Sequence, residues 1–195
     1  MEGRKSTKER ILSAALELFA REGYEAVGVA RIAQAVGIKA PSLYKHFASK
    51  RAVFEAILRR MEELDAEAAA ACSLPLAPPG ADPATYARAA VSDLVAFAKR
   101  QFRFWTRDPF ASAFRRMVTV EQHRSEEMAA LYQNCFGTGP LDYTAGILGS
   151  REEAVAFYGG MFLLYAVHDA DPASPAAAKL LDKHLSRWLP RHRGR

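Results

Sequence analysis

The sequence predicts an all-α fold of about nine helices, a three-helix amino-terminal head followed by a larger helical body. Three observations predict it. Apolar residues recur at three- and four-residue spacing along most of the 195-residue chain. Helix start signals, Ser-x-x-Glu boxes and Ser-Pro or Asp-Pro pairs, punctuate those stripes. No segment sustains the apolar-polar alternation of a half-buried strand.

The first helix opens on a capping box, Ser6 with Glu9, and runs to about Glu22, where Gly23 stops it. Its stripe is Ile11, Leu12, Ala15, Leu18 and Phe19. Residues 24–50, YEAVGVARIAQAVGIKAPSLYKHFASK, then read as two short helices joined by a tight turn at Gly37. Ile32, Ala33, Val36 and Ile38 give the first helix and the turn a small apolar face. The second opens at Ala40-Pro41 and carries Leu43 and Phe47 at i, i+4, which places both in the core. Its other positions, Ser42, Tyr44, Lys45 and His46, are hydrogen-bonding or cationic. One buried face backed by one face of donors is the helix-turn-helix design. Its second helix fits the major groove of DNA, where base edges and phosphates present acceptors.

Ser49 caps a long helix from Lys50 to about Ala71, with Val53, Phe54, Ile57, Leu58, Met61 and Leu64 on its stripe. Residues 73–82, rich in Pro, Ala and Gly, read as a loop. Asp82-Pro83 starts a helix to about Thr106 that carries Ala90, Leu94, Phe97 and Phe104 on one face. Asp108-Pro109 starts another, carrying Phe110, Phe114, Met117 and Val118. Ser125 opens a third, with Glu126 and Glu127 at the favourable end of its dipole and Met128, Leu131, Tyr132, Cys135 and Phe136 along it. Residues 137–149 read as a glycine-rich connection. Ser150 and Glu153 make a second capping box for a helix to about His168, and Ser174-Pro175 opens the last, to about Leu189.

From Ala154 to Val167 nearly every position is apolar, AVAFYGGMFLLYAV, and a helix apolar all round is covered on all sides. The last helix adds Ala177, Leu180, Leu181, His184, Leu185 and Trp188, and Gly159-Gly160 would let another helix approach closely. Two readings fit: a central helix of a monomer core, or a homodimer in which a symmetric patch meets its own copy. The homodimer is preferred, with Phe157, Met161, Phe162 and Tyr165 from the first helix and Leu181, Leu185 and Trp188 from the second at its interface.

Charge is distributed unevenly. Residues 1–60 hold 12 Lys+Arg against 6 Asp+Glu, and residues 61–195 hold 15 against 16, so the whole net charge of +5 originates in the segment with the helix-turn-helix pattern. A basic head on a neutral body is the electrostatic footprint of nucleic-acid binding. Cys72 and Cys135 are far apart, which excludes a disulfide framework and gives no metal-ligand spacing; no metal and no cofactor are expected. The five histidines show no H-x-x-x-H spacing, and G-x-S-x-G and G-x-x-x-x-G-K-[ST] are absent. The amino terminus is polar with no signal core, and the longest apolar run is shorter than the roughly 20 residues of a membrane span, so a cytoplasmic protein with no membrane partner is expected.

These residues meet a known family. Thr7 to about Phe54 resembles the DNA-binding domain of the TetR family of transcriptional repressors, through ILSAALELFAREGYEAV, VARIAQAVGI and PSLYKHFASKRAVFEAI. The string L-Y-x-H-F-x-x-K, Leu43 to Lys50, is the most diagnostic part, and the resemblance covers about a quarter of the chain. It implies a head over 1–48, an effector-binding and dimerisation body over 49–195, and a bridging helix over 49–71. By the same resemblance Tyr44, His46 and Lys50 contact phosphates. Lys39, Ser42 and Lys45 would read bases, and Ala40 and Pro41 would touch thymine methyls. Two positions depart from the family pattern. Gly28, followed by Val29, stands where a hydroxyl residue usually caps the first helix of the motif, and its backbone N–H can still meet a phosphate. Lys39 stands where a Ser often precedes the recognition helix; it is a poor cap and an added charge near the groove.

The resemblance further implies an effector cavity among the aromatic-rich middle helices, with a small, largely apolar occupant. Gln101 is the pointed candidate, because it falls on the apolar stripe Leu94, Phe97, Gln101, Phe104. His123 and Tyr132 are polar candidates of the same kind. Phe114, Met117 and Phe136 complete the apolar set, against the alternative that all of these are simply core. The expected function is a ligand-responsive repressor that binds a near-palindromic operator as a dimer. Two alternatives stand beside it, a small all-helical enzyme and an architectural DNA-binding protein without effector.

Overall fold

A computed structural model describes residues 6–70 and 90–191. Among the described residues there are eleven helical segments and no strand: α1 (Thr7–Glu22), α2 (Val29–Val36), α3 (Ala40–Tyr44), α4 (Lys50–Ala70), α5 (Val91–Arg107), α6 (Pro109–Glu121), α7 (Glu126–Phe136), α8 (Thr138–Leu148), α9 (Arg151–Ala170), α10 (Ala176–Ser186) and α11 (Trp188–Arg191). The all-α expectation holds. The loop at 73–82, the Asp82-Pro83 start and Cys72 lie outside the described residues.

Serine side chains start the helices where the sequence places them. Ser6 and Glu9 form the full reciprocal box on α1. The hydroxyls of Ser49, Ser125 and Ser150 accept the backbone N–H of Ala52, Met128 and Glu153. Two expectations give way. Residues 137–149 form a helix, α8, despite their glycines. Pro140 sits in its first turn, where a missing N–H costs nothing, and α8 packs along α9. Gly139 is needed because a Cβ there would run into the Asn134 carbonyl. The last helix breaks at Arg187 into α10 and α11.

The chain divides into two compact units, one made of Met1–Glu67 with Pro109–Ala129, the other of Ala68–Asp108 with Ala130–Arg195. The first therefore includes α6, which the sequence reading assigned to the body. α1 packs on both α2 and α6, which is why its buried face is broad and takes in Leu16 as well as Ile11, Ala15 and Phe19. Phe114, Met117 and Val118 of α6 are buried. At the end of α6, Glu121 is 3% exposed and its Oε1 accepts from the Tyr24 backbone N–H (3.0 Å) and from Arg124 (2.9 Å).

In the second unit α9 packs on α8 and α10. Gly160 is the point of approach: a Cβ there would meet the His184 ring, whose Nε2 donates to the Phe157 carbonyl at 2.9 Å. The close approach expected of the glycine pair is thus made at Gly160 inside the chain, whereas a Cβ on Gly159 would meet nothing within 4 Å. An aromatic cluster fills the interior, with Phe102 stacked on Tyr165 at 5.2 Å and Trp105 edge-on to Phe136 at 4.7 Å.

Candidate nucleic-acid interface

The turn between α2 and α3 is set by Gly37, which takes φ 74° as the C-cap of α2, a conformation side-chain-bearing residues avoid. Arg10 reaches from α1 to the Val36 carbonyl (2.6 Å) and closes the same helix end. Leu43 is fully buried and Phe47 is 6% exposed, so both belong to the core as expected. Anchored by these two, α3 turns its other side outward. Tyr44 is 53% exposed, and Pro41, Lys45 and His46 are exposed beside it; Ala40 and Ser42 are partly exposed. Tyr44 is therefore not a half-buried packing residue.

The helix starts behave as the two departures foretell. Gly28 and Lys39 are the N-caps of α2 and α3, and neither supplies a side-chain hydrogen bond. Gly28 and Lys39 are exposed and Val29 partly so. Electrostatics favours an anion here: residues 26–54 contain five Lys+Arg and no Asp or Glu. Arg31 is paired with Glu22 at 3.3 Å, while Lys39 and Lys45 have no ion pair among the described residues.

Lys50 stands apart from the expected set. Its ammonium donates to the Tyr24 carbonyl (2.9 Å) and the Glu25 carbonyl (3.5 Å), and lies 4.2 Å above the Tyr24 ring. It ties the turn before α2 to the start of α4, so the structure gives it a job within the head. The next residue, Arg51, was missed by the sequence reading. It forms a bidentate pair with Glu127 (2.7 and 2.8 Å) and a further hydrogen bond to Glu55 (3.1 Å). Arg51 holds the Glu127 carboxyl below its usual range. The pair is therefore complete at neutral pH and is lost as pH falls through that lowered value. Glu121 at Tyr24 and Glu127 at Arg51 hold the two ends of the α2–α3 segment. Nothing local in the sequence marks them, because their partners lie 97 and 76 residues away.

The family model described as "Bacterial regulatory proteins, tetR family" matches residues 11–57, from α1 through α2 and α3 into α4. Residues 11–57 carry a TetR-family DNA-binding domain. Two curated relatives match over this domain, the HTH-type transcriptional repressor ComR of Escherichia coli K12 and the HTH-type transcriptional activator FasR of Mycolicibacterium smegmatis. ComR is 42% identical over 53 residues, which is 27% of this chain and 25% of ComR. FasR is 40% identical over 57 residues, 29% of this chain and 26% of FasR. The chain thus spans about a quarter of the length of the curated relatives it matches. Among solved structures, a TetR-like transcriptional regulator from Rhodococcus sp. RHA1 matches over 97% of this chain and 99% of that one, with TM-score 0.63 and 21% identity. That match extends the TetR-like fold over both units.

The effector residues expected from sequence separate. Phe114 and Met117 are in the core of the first unit, and His123 is exposed in the turn after α6. In the second unit Phe97 pairs with Tyr143 of α8 (5.6 Å), Phe104 with Trp105 (5.0 Å) and Tyr132 with Phe136 (5.9 Å). The Gln101 side-chain oxygen is buried there with no hydrogen-bond partner.

The interface residues expected on α9 to α11 separate too. Phe157, Met161, Tyr165, Leu181, Leu185 and Trp188 are buried within the chain's own second unit, because α9, α10 and α11 use them to pack on each other and on α5. Phe162 alone of the set is exposed, at 49%. It shares one face of α9 with exposed Val155, Gly159 and Leu163, and Leu180 of α10 is exposed as well. Among the described residues no helix is long and apolar enough to cross a membrane, and no group of His, Cys, Asp or Glu could hold a metal.

Proposed function

We propose that this chain is a transcriptional regulator that binds a near-palindromic DNA operator as a homodimer, acts as a repressor, and is released by a small, largely apolar effector. The observation that carries the DNA part is the outward face of α3: an exposed Tyr44 flanked by Lys39, Lys45 and His46, in a segment free of carboxylates. Tyr44 and His46 meet phosphates and set the register, as the backbone N–H groups at Gly28 and Val29 do; Lys39, Ser42 and Lys45 read base edges. A regulator of this kind acts in the cytoplasm, where its operator is. The relatives are named as regulators of transcription rather than as enzymes, which weighs against the catalytic alternative.

Selection from random duplexes is the test. The expected product is an inverted repeat whose half-sites lie about 34–36 Å apart, with affinity falling steeply as salt rises. Lys45→Ala is expected to change the selected bases. Salt-independent binding, or no enriched sequence, overturns the reading, and a reporter gene behind the selected operator distinguishes repressor from activator.

The dimer is supported by where the exposed apolar residues fall. Of the six large exposed apolar residues among the described residues, Val155, Phe162, Leu163 and Leu180 lie on α9 and α10. A strip of this kind can meet its own copy about a two-fold axis.

The effector is supported by Gln101. A buried amide oxygen without a partner costs about 1–3 kcal/mol, and an occupant that donates a hydrogen bond removes that cost. The effector is therefore an apolar molecule with a hydroxyl or amine, lying against Gln101 and Phe97. Once a thermal-shift screen has identified it, titration with and without saturating operator is expected to differ by roughly 5–150-fold in affinity, the usual range of such coupling. Equal affinities would remove the ligand from the switch.

A further inference from the structure

We propose that a second site in this chain, a cleft between α5 and α10, binds a small dianion such as a phosphate monoester or a dicarboxylate. The cleft has a volume of about 170 Å3. One wall is a cationic ladder on α5, Lys99, Arg103 and Arg107, spaced i, i+4, i+8 so that all three share a face. The other wall is Ser174 in the turn before α10, with Ala178 and Asp182 on it. Phe102 and Leu181 form an apolar floor.

The charge in this cleft is not balanced from within. Asp182 pairs with Lys99 at 2.8 Å, which accounts for one cation. Arg103 and Arg107 have no ion pair among the described residues, so the cleft is lined by three cations against one carboxylate, Asp182, which is already paired with Lys99. Guanidinium is the planar, always-charged fork that takes phosphate or carboxylate in paired hydrogen bonds. Ser174 adds a donor: its oxygen accepts the Ala176 N–H at 3.2 Å, and its hydroxyl hydrogen remains free to turn into the cleft. Deeper in, the His168 Nε2 donates to the Thr106 carbonyl at 3.2 Å, which fixes the ring of this buried residue.

Size and chemistry separate this cleft from the effector face at Gln101. Drug-sized ligands need roughly 300–1,000 Å3 of largely apolar space. This cleft takes an anionic head and little more. It is lined by Lys99, Arg103 and Arg107 of α5, whereas Phe97 of the effector face packs on Tyr143 of α8. The inference stands whether or not the chain binds DNA.

Calorimetry on the full-length protein at low ionic strength tests it, with inorganic phosphate, glycerol 3-phosphate and succinate as separate probes. At least one is expected to bind saturably, one per chain, and the order of the three says whether phosphate or dicarboxylate chemistry is preferred. The double substitution Arg103→Gln, Arg107→Gln is expected to weaken that probe tenfold or more. Ser174→Asp is the second variant, should the first fail to fold. Asp accepts the Ala176 N–H as well as Ser does, so the turn is retained while a negative charge enters the cleft, and the same tenfold loss is expected. No saturable binding of any probe by the wild type, or wild-type affinity in the variants, overturns the proposal.

Discussion

Replacing Leu43 by Ala is expected to destabilise the first unit by about 2–5 kcal/mol, whereas replacing its neighbour Tyr44 by Phe leaves stability within about 0.5 kcal/mol. Leu43 is fully buried and Tyr44 is 53% exposed, so two adjacent residues separate the fold from its use. Leu43→Ala opens a cavity under α3 and releases the helix proposed to contact DNA. Tyr44→Phe removes one hydroxyl from an otherwise unchanged surface. A hydrogen bond to a charged phosphate contributes about 1.5–3 kcal/mol, so each half-site is expected to lose roughly ten- to a hundredfold in affinity. Because phosphates carry no sequence, the loss should be equal for operator and random duplex. Urea unfolding and gel-shift titration of both variants check this pair. Equal destabilisation by both, or full operator affinity in Tyr44→Phe, overturns the assignment.

The second large effect contrasts two residues of the carboxy-terminal helices. Leu181 is 2% exposed, so Leu181→Glu puts a carboxylate into a packed interior at a cost of about 4–5 kcal/mol or more, comparable with the whole stability of a domain. The second unit is expected to unfold. Phe162 has half its surface in solvent, and a glutamate there leaves a single chain folded. It does place a charge in the proposed symmetric strip, twice over because the two-fold axis repeats it. Sedimentation is expected to show a folded Phe162→Glu monomer at micromolar concentration, where the wild type is a dimer. A dimeric Phe162→Glu, or a folded Leu181→Glu, contradicts the division of these helices into an inner and an outer face.

That division was not legible in the sequence. The helix from Ala154 to Val167 is apolar on every side, so periodicity cannot distinguish the face that packs on α8 and α10 from the face left outside. Helix starts were legible, because a serine cap is a contact between residues three apart, as at Ser6 and Ser49. α8 was not: four glycines over residues 137–149 and Pro140 argue locally for a loop, and packing along α9 outweighs them. The candidate interface divides the same way. Leu43 and Phe47 inside with Tyr44 and Lys45 outside follow from helical spacing alone. Lys50 follows from nothing local, since its carbonyl partners at Tyr24 and Glu25 lie 26 and 25 residues back. Neither do the anchors Glu121 and Glu127, which a reader of the motif alone would assign to another part of the molecule.

The packing of α6 on α1 sets an order of events during synthesis. Arg116 of α6 bonds Glu17 of α1 across 99 residues, and the buried face of α1 needs α6 to be complete. At the usual rate of roughly 5–20 residues per second, α1 to α3 leave the ribosome about 4–15 s before α6 follows. Through that interval the part of the apolar side of α1 that packs on α6 has no cover, and the motif lacks that share of its stability. A fragment ending after α4 would remain in that unfinished state permanently, because it lacks α6. The first unit, which carries the proposed operator-reading face of α3, is therefore complete only when a helix from the middle of the gene arrives.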